Sequence, residues 1–309
     1  MKITILGVGG IGGFLAAKLA PAGHSVSLLA RGAHLDAIRS TGLRLIEDGR
    51  ETVVRPEAIS DRIAEFPRAE LMIFAVKGQD LPGMIDAARP HMGPETLVLP
   101  FQNGVDAPDL LAAACGEGNT LIGVARIFSN ITAPGEVTQY GDMSSFTLGD
   151  RSGGQSSPGV SRIIAAFRAA GIATPDCDDV TVDLWMKFLL FNAVSGATAG
   201  ARCRFRDIRG NPDLLDFFRG LVAEAEAVGR ARGVSLPEDA VERTMSLFAR
   251  LPDEARSSTA HDLEQGKPLE VDRICGAVAR MGRELGVETP NSAAVAALLA
   301  PWKNGAAGA

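Results

Sequence analysis

Residues 2–30, KITILGVGGIGGFLAAKLAPAGHSVSLLA, constrain the fold more than any other stretch of this chain. A β-rich run at residues 2–6 leads into Gly7, Gly9 and Gly12, spaced GxGxxG, and residues 11–20 have helical character. Pro21, Ala22 and Gly23 end that helix, and HSVSLLA reads as a second strand, which completes a βαβ unit. In this setting each glycine has a task. The first permits a tight turn, the second lets backbone approach a pyrophosphate, and the third lets the helix pack closely on the strand. The helix start then turns unpaired N–H groups toward the phosphates. The loop Gly7, Val8, Gly9, Gly10, Ile11 and Gly12 is therefore the candidate dinucleotide cradle. Glycine-rich packing without a ligand is the competing account, and the βαβ context favours the cradle.

The alternation continues. AELMIFAVK, residues 69–77, and ETLVLPFQNG, residues 95–104, read as buried third and fourth strands, and NTLIGVARIFS offers a fifth. EVTQYGD and SSFTLGD read as a hairpin, and VSRIIAAFRAAG as a helix after it. Near residue 180 the pattern turns helical: TVDLWMKFLLFNAVSGATAGA, PDLLDFFRGLVAEAEAVGRARG, LPEDAVERTMSLFARLP, KPLEVDRICGAVARMGRELG and TPNSAAVAALLAPW, with KNGAAGA as a frayed tail. These runs predict a mostly parallel sheet sandwiched by helices over residues 1–180 and a helical domain over 181–309.

Composition narrows the function. A formal charge of −6 disfavours a nucleic-acid binder, although a local site can still oppose the net charge. Cys115, Cys177, Cys203 and Cys275 are scattered without a CxxC pair, and the four histidines lack ligand spacing, so neither structural zinc nor another metal is expected. The amino terminus does not read as a signal peptide, and no apolar run reaches the ~18 residues of a membrane span, so a cytoplasmic protein is expected. The apolar stripe of DLLDFFRGLVAEAEAV fits burial within the chain or against a second copy, which leaves a homodimer open.

Four side chains carry the chemistry. At the end of the second strand, where an NAD site places Asp or Glu, the chain has Arg31. A guanidinium pairs with a 2′-phosphate, so NADP is favoured; a surface charge is the alternative, and His34 is a second candidate. Lys77 and Asn103 close the third and fourth strands, where ligands of open α/β sheets bind. Lys187 lies inside the apolar run VDLWMKFLLFNAVSG. A lysine there either snorkels to water or serves a cleft as proton donor.

With ILGVGGIGG, Arg31, AVKGQD, FQNG, LWMKF and SSTAHDLEQGKPLEVDRICGAV, the chain resembles the ketopantoate reductases (2-dehydropantoate 2-reductases) from Lys2 to Pro301. The last segment is the most specific of these marks. The resemblance implies an α/β N-terminal Rossmann-like domain and a mainly α-helical C-terminal domain, with the active site between them. It implies that NADPH delivers hydride to the ketone carbon of a 2-keto acid, with 2-dehydropantoate to pantoate the first reaction to expect, and so a place in pantothenate biosynthesis. Lys187 then matches the general acid. Glu270 holds the cofactor and the reacting end of the site, and Asn103 touches cofactor and substrate. Lys77 lies near both, Ser258 binds the polar end of the substrate, and Arg31 meets the 2′-phosphate. Read locally, Glu270 and Asp272 near a helix start at Pro268 also suit a helix dipole.

The likeness fails at one wall. Where the family usually places two asparagines after the lysine at helical spacing, this chain has Phe191 and Ser195. Asn192 is displaced by about 100° round the helix, and a third family asparagine falls near Phe205. Phenylalanine cannot form the lost hydrogen bonds, and such a change can discriminate between substrates by up to ~10⁴-fold. Arg202 offers a substitute contact for a carboxylate. A different, more apolar 2-keto acid or an imine is therefore the alternative substrate. A non-catalytic NADP-binding sensor or scaffold is the alternative of another class, and it would need neither Lys187 nor Glu270.

Overall fold

The computed structural model describes residues 1–306 and divides into two compact units, Met1–Gln102 with Ala107–Thr181, and Asn103–Asp106 with the chain from Val182 onward. The first unit contains β1 (Lys2–Leu6), α1 (Gly10–Leu19), β2 (Ser25–Leu29), α2 (Gly32–Thr41), β3 (Leu43–Glu47), β4 (Arg50–Val54) and β5 (Ala58–Ser60). It continues through β6 (Leu71–Phe74), α3 (Leu81–Ala88), β7 (Leu97–Pro100), α4 (Ala107–Cys115), β8 (Leu121–Ala133), β9 (Glu136–Asp150) and α5 (Pro158–Ala169).

Five strands form an all-parallel sheet in the order β5-β2-β1-β6-β7. Ile3, Ile5 and Leu6 of β1 and all of β6 are buried, as parallel strands covered on both faces require. The chain builds outward from β1 to β2 on one side, then restarts at β6 on the other. The carboxyl ends of β1 and β6 are thus a topological switch point, the place where ligands bind in such sheets.

A second sheet has the order β4-β3-β9-β8, with β3 parallel to β9 and antiparallel pairing elsewhere. Here the structure departs from the sequence reading. The fifth run extends to Ala133 and belongs to this second sheet, and EVTQYGD and SSFTLGD are one continuous strand, β9, not a hairpin. Its antiparallel partner is β8, through a turn in which Gly135 has φ +78°. Phe146 of β9 stacks on Phe14 of α1 at 5.8 Å and meets Phe101 and Phe167 edge-on at 5.2 and 6.4 Å, so one aromatic cluster ties both sheets to α1 and α5.

The second unit is helical: α6 (Val180–Ala201, whose first two residues belong to the first unit), α7 (Phe205–Gly210), α8 (Pro212–Ala231), α9 (Ala240–Phe248), α10 (Ser258–Glu264), α11 (Cys275–Leu285) and α12 (Pro290–Leu299). α6 is apolar nearly all round, as a central helix must be. A Cβ on Gly196 would fall 3.0 Å from both Cys275 Sγ and Leu221 Cδ1, so glycine sets the close approach of α6 to α8 and α11. Asn211 caps α8 by accepting from the N–H groups of Asp213 and Leu214, and the buried Glu224 accepts from Asn291 and Ser292 N–H, both at 2.7 Å, at the start of α12.

The long helix expected over KPLEVDRICGAVARMGRELG starts only at Cys275. Residues 271–273 form a single 3-10 turn instead, capped by Glu270. The tail read as frayed is fastened as far as Ala306, whose N–H donates to Gly266 O at 3.0 Å. Residues 307–309 of that tail lie outside the described residues. Among the described residues, no helix is long and apolar enough to cross a membrane.

Candidate functional site

The glycine loop occupies the switch point of the first unit. Gly7 ends β1 with φ +98°, and a Cβ there would lie 2.8 Å from Val76 N, so both conformation and space demand glycine. A Cβ on Gly12 would overlap the Gly7 carbonyl, one on Gly10 would overlap the Ser129 carbonyl, and one on Gly13 would press on Val137 Cγ2 at 2.6 Å. Gly9 differs, because nothing lies within 4 Å of its Cβ position. Gly9 is also the N-cap of α1, without a side-chain cap and with no acidic residue in the first turn. Val8 is buried and Ile11 half-buried. The fold leaves no room for a side chain at Gly7, Gly10, Gly12 and Gly13 and leaves the loop open at Gly9, in front of unpaired helix N–H groups. These residues fit a pyrophosphate.

Arg31 follows β2 directly as the N-cap of α2. Its side chain is 88% exposed, with Nη2 3.5 Å from Asp80 Oδ2. A surface pair of this kind is weak, so an incoming phosphate could displace the carboxylate at little cost. His34 is not equivalent. Its Nδ1 accepts from Gly135 N–H at 2.9 Å, and burial lowers its pKa, so it offers no charge to a phosphate at neutral pH.

The third strand ends at Phe74 and not at residue 77. Lys77 is exposed and precedes a 3-10 turn, Gly78–Asp80, that leads into α3. The fourth strand ends at Pro100, three residues before Asn103. Between them lies Gln102, which the sequence reading passed over. Its Nε2 donates to Phe74 O at 2.9 Å and to Val76 O at 3.0 Å, binding the end of one strand to the other beside the glycine loop.

Asn103 groups with the helical unit, and there it meets Lys187. Lys187 Nζ donates to Asn103 Oδ1 at 3.2 Å, and the same ammonium lies 5.7 Å from the centre of the Phe191 ring. Lys187 and Phe191 are half-buried on α6, one turn apart, as their spacing requires. Ser195 is 2% exposed, and its Oγ finds no hydrogen-bond partner among the described residues. Asn192 faces elsewhere, donating to Leu221 O of α8 at 3.0 Å. Phe205 is buried against Phe248, edge-on at 5.3 Å.

Glu270 is 6% exposed, a buried carboxylate on the 3-10 turn that its own backbone caps. Ser258, the first residue of α10, is exposed. Its neighbour Ser257 is buried, caps α10 through Ala260 N–H, and shares a hydrogen bond with Thr198 of α6 at 2.7 Å. Arg202 follows α6 in a left-handed conformation, φ +49°, with its guanidinium 5.9 Å from the centre of the Trp302 ring. The helical unit thus brings together Lys187, Asn103 and Phe191.

Three charged residues that sequence reasoning missed flank this group. Asp106 Oδ2 accepts from Arg273 Nη1 and from Arg280 Nη2, each at 2.9 Å. The only sequence signal was local: Asp106 lies three residues after Asn103, and Arg273 three after Glu270. Their pairing across more than 160 residues leaves no pattern.

Known proteins resemble the chain along its length. The family model described as ketopantoate reductase PanE/ApbA matches residues 3–153, and the model of its C-terminal part matches residues 179–303. A 2-dehydropantoate 2-reductase of Mesorhizobium japonicum is 35% identical, over 97% of each chain. Among solved structures, a PanE/ApbA family ketopantoate reductase from Ralstonia eutropha JMP134 superposes with a TM-score of 0.89 at 30% identity, covering 98% of each chain. A 2-dehydropantoate 2-reductase from Methylococcus capsulatus does so with a TM-score of 0.86 at 29% identity, covering 97% of this chain and 96% of its own.

Proposed function

The chain belongs to the ketopantoate reductase family, and on that premise we propose that it is an NADPH-dependent reductase of a 2-keto acid, with Lys187 as the general acid. The observation that carries the reading is the ammonium of Lys187 held 3.2 Å from Asn103 Oδ1 on a mainly apolar helix. A reduced nicotinamide, when bound, supplies hydride to the carbonyl carbon. Negative charge then grows on the carbonyl oxygen, and an ammonium within reach stabilises it and yields a proton from Nζ. Asn103 occupies one Nζ donor and so fixes the direction of the others. The product is a 2-hydroxy acid, and the neutral amine recovers its proton from solvent. Gly7, Gly9 and Gly12 with the start of α1 hold the pyrophosphate, and Arg31 selects the 2′-phosphate of NADP.

2-Dehydropantoate is the first substrate of this reading. Phe191 supports a second, a more apolar 2-keto acid. Its ring lies one turn from Lys187 and offers no hydrogen bond to a substrate hydroxyl. NADPH oxidation measured against a panel of 2-keto acids, 2-dehydropantoate and aromatic or branched acids included, decides between them. Lys187→Ala is expected to lower kcat by ~10² or more while NADPH still binds. Unchanged turnover in that variant removes Lys187 from the role of acid. A parent protein inactive toward every keto acid would leave a nucleotide-binding sensor as the reading.

A further inference from the structure

We infer that Asp106 is a positioning residue that, through Arg273 and Arg280, keeps the Asn103 amide against the Lys187 ammonium; the inference rests on the proposed role of Lys187. All five residues belong to the helical unit. The span Asn103–Asp106 is pinned at two points. At Gly104, with φ +112°, the backbone lies so close to residue 273 that a Cβ would fall 2.7 Å from Arg273 O. At Asp106, which is 9% exposed, one carboxylate oxygen accepts from both guanidiniums at 2.9 Å. Arg273 closes the same 3-10 turn that Glu270 caps, with its N–H donating to Glu270 O at 2.9 Å. One carboxylate therefore fastens the Asn103 span to the turn that carries Glu270.

Charge-assisted bonds to a buried carboxylate hold their geometry more firmly than a neutral contact. Without Asp106, Arg273 loses this carboxylate partner and Arg280 keeps only the looser pairing with Glu284 at 3.9 Å, and the span loses its anchor three residues from Asn103. The Asn103 carbonyl then drifts from Nζ. Misplacement of about 1 Å in such a group can cost ~10²-fold in rate. The lost acceptor also disfavours the ammonium, so the Lys187 pKa falls.

A readout independent of turnover is available because the chain has only six lysines. Reductive methylation with ¹³C-formaldehyde gives each lysine an NMR signal, and Lys187→Ala assigns the one that matters. Asp106→Asn is expected to move the Lys187 titration to lower pH, leave the other lysines in place, and reduce kcat by ~10- to 100-fold without weakening NADPH binding. In an Asn103→Ala background the same substitution should move neither quantity further, although the losses in Tm still add. Arg280→Ala separates positioning from simple charge. Removing a nearby cation raises a lysine pKa by direct electrostatics, whereas loosening the span lowers it. Arg280 is also the more exposed partner, so this variant is expected to fold even if Asp106→Asn does not. A Lys187 titration unmoved by Asp106→Asn, or raised by Arg280→Ala, overturns the inference and leaves the clamp purely structural. A parent inactive toward every keto acid rejects the proposed function instead, and the titration still decides the role of Asp106.

Discussion

At the scale of single residues, the side chains that could discriminate substrates and cofactors are those whose surroundings the fold leaves unfinished. Arg31 has only a weak, exposed partner in Asp80. Arg31→Ala is expected to weaken NADPH by ~10-fold or more while leaving NADH nearly unaffected, a loss that parallel titrations of the two cofactors would detect. Equal weakening of both would assign the 2′-phosphate elsewhere. Phe191 makes the second argument. Phe191→Asn restores a hydrogen-bonding group one turn from Lys187, so kcat/KM for 2-dehydropantoate should rise by ~10-fold or more relative to an aromatic keto acid. A ratio that does not move would show that this wall does not read the substrate. Both residues were legible in the sequence because each stands at a position fixed by local periodicity, Arg31 at the end of a strand and Phe191 four residues after Lys187. Asp106 was not, because its partners come from distant helical turns.

Elements were legible where one period persisted. The βαβ opening and the run of α6 show clean signals, and their ends moved by a residue or two. The strands expected over 69–77 and 95–104 shrank to four residues each, because the ladder stops at Phe74 and Pro100 while the apolar run goes on, through the half-buried Ala75 and Val76 in one case and the buried Phe101 in the other. The hairpin β3–β4 and the long β9 escaped because their alternation is broken by Gly49, Gly141 and polar stretches, and one of their pairings, β3 with β9, joins segments far apart in sequence. The glycine loop gives a prediction at this scale. Gly9→Ala meets open space at an ordinary φ, so its Tm should stay near the parent value while NADPH binding weakens by ~10-fold or more. Gly12→Ala forces a methyl into the Gly7 carbonyl, and overpacking of this kind costs about 1–3 kcal/mol or more. Thermal melts with and without NADPH separate the two. A Gly9 variant as unstable as the Gly12 variant would contradict the cradle.

For the whole molecule, stability adds up contributions that no single site reveals, and its pH dependence follows from groups that sequence composition counts but cannot place. The division into a sheet-rich and a helical part was visible as a change of period near residue 180, yet the short span at 103–106 that belongs to the second unit was not, since its partners Arg273 and Arg280 lie far off in the sequence. His24 and His34 show the same limit: both are half-buried, and burial pushes both below the ordinary imidazole value. His24 also lies 3.2 Å from the amino-terminal ammonium, which pushes the same way. Because the folded values lie below about 6.5, the unfolded chain takes up these protons first as pH falls. Their contribution to stability is complete above about pH 6.5 and is lost progressively below it, down to the folded values. Carboxylates such as Glu70, whose pKa is lowered mainly by the Lys2 N–H that it accepts, lose their contribution only in a more acidic window. Tm should therefore fall between pH 7.5 and 5.5, and the combined variant His24→Asn with His34→Asn should flatten that slope. Asparagine retains an acceptor for Gly135 N–H but has no proton to gain, so a slope that persists in the double variant would locate the acid sensitivity outside these two imidazoles.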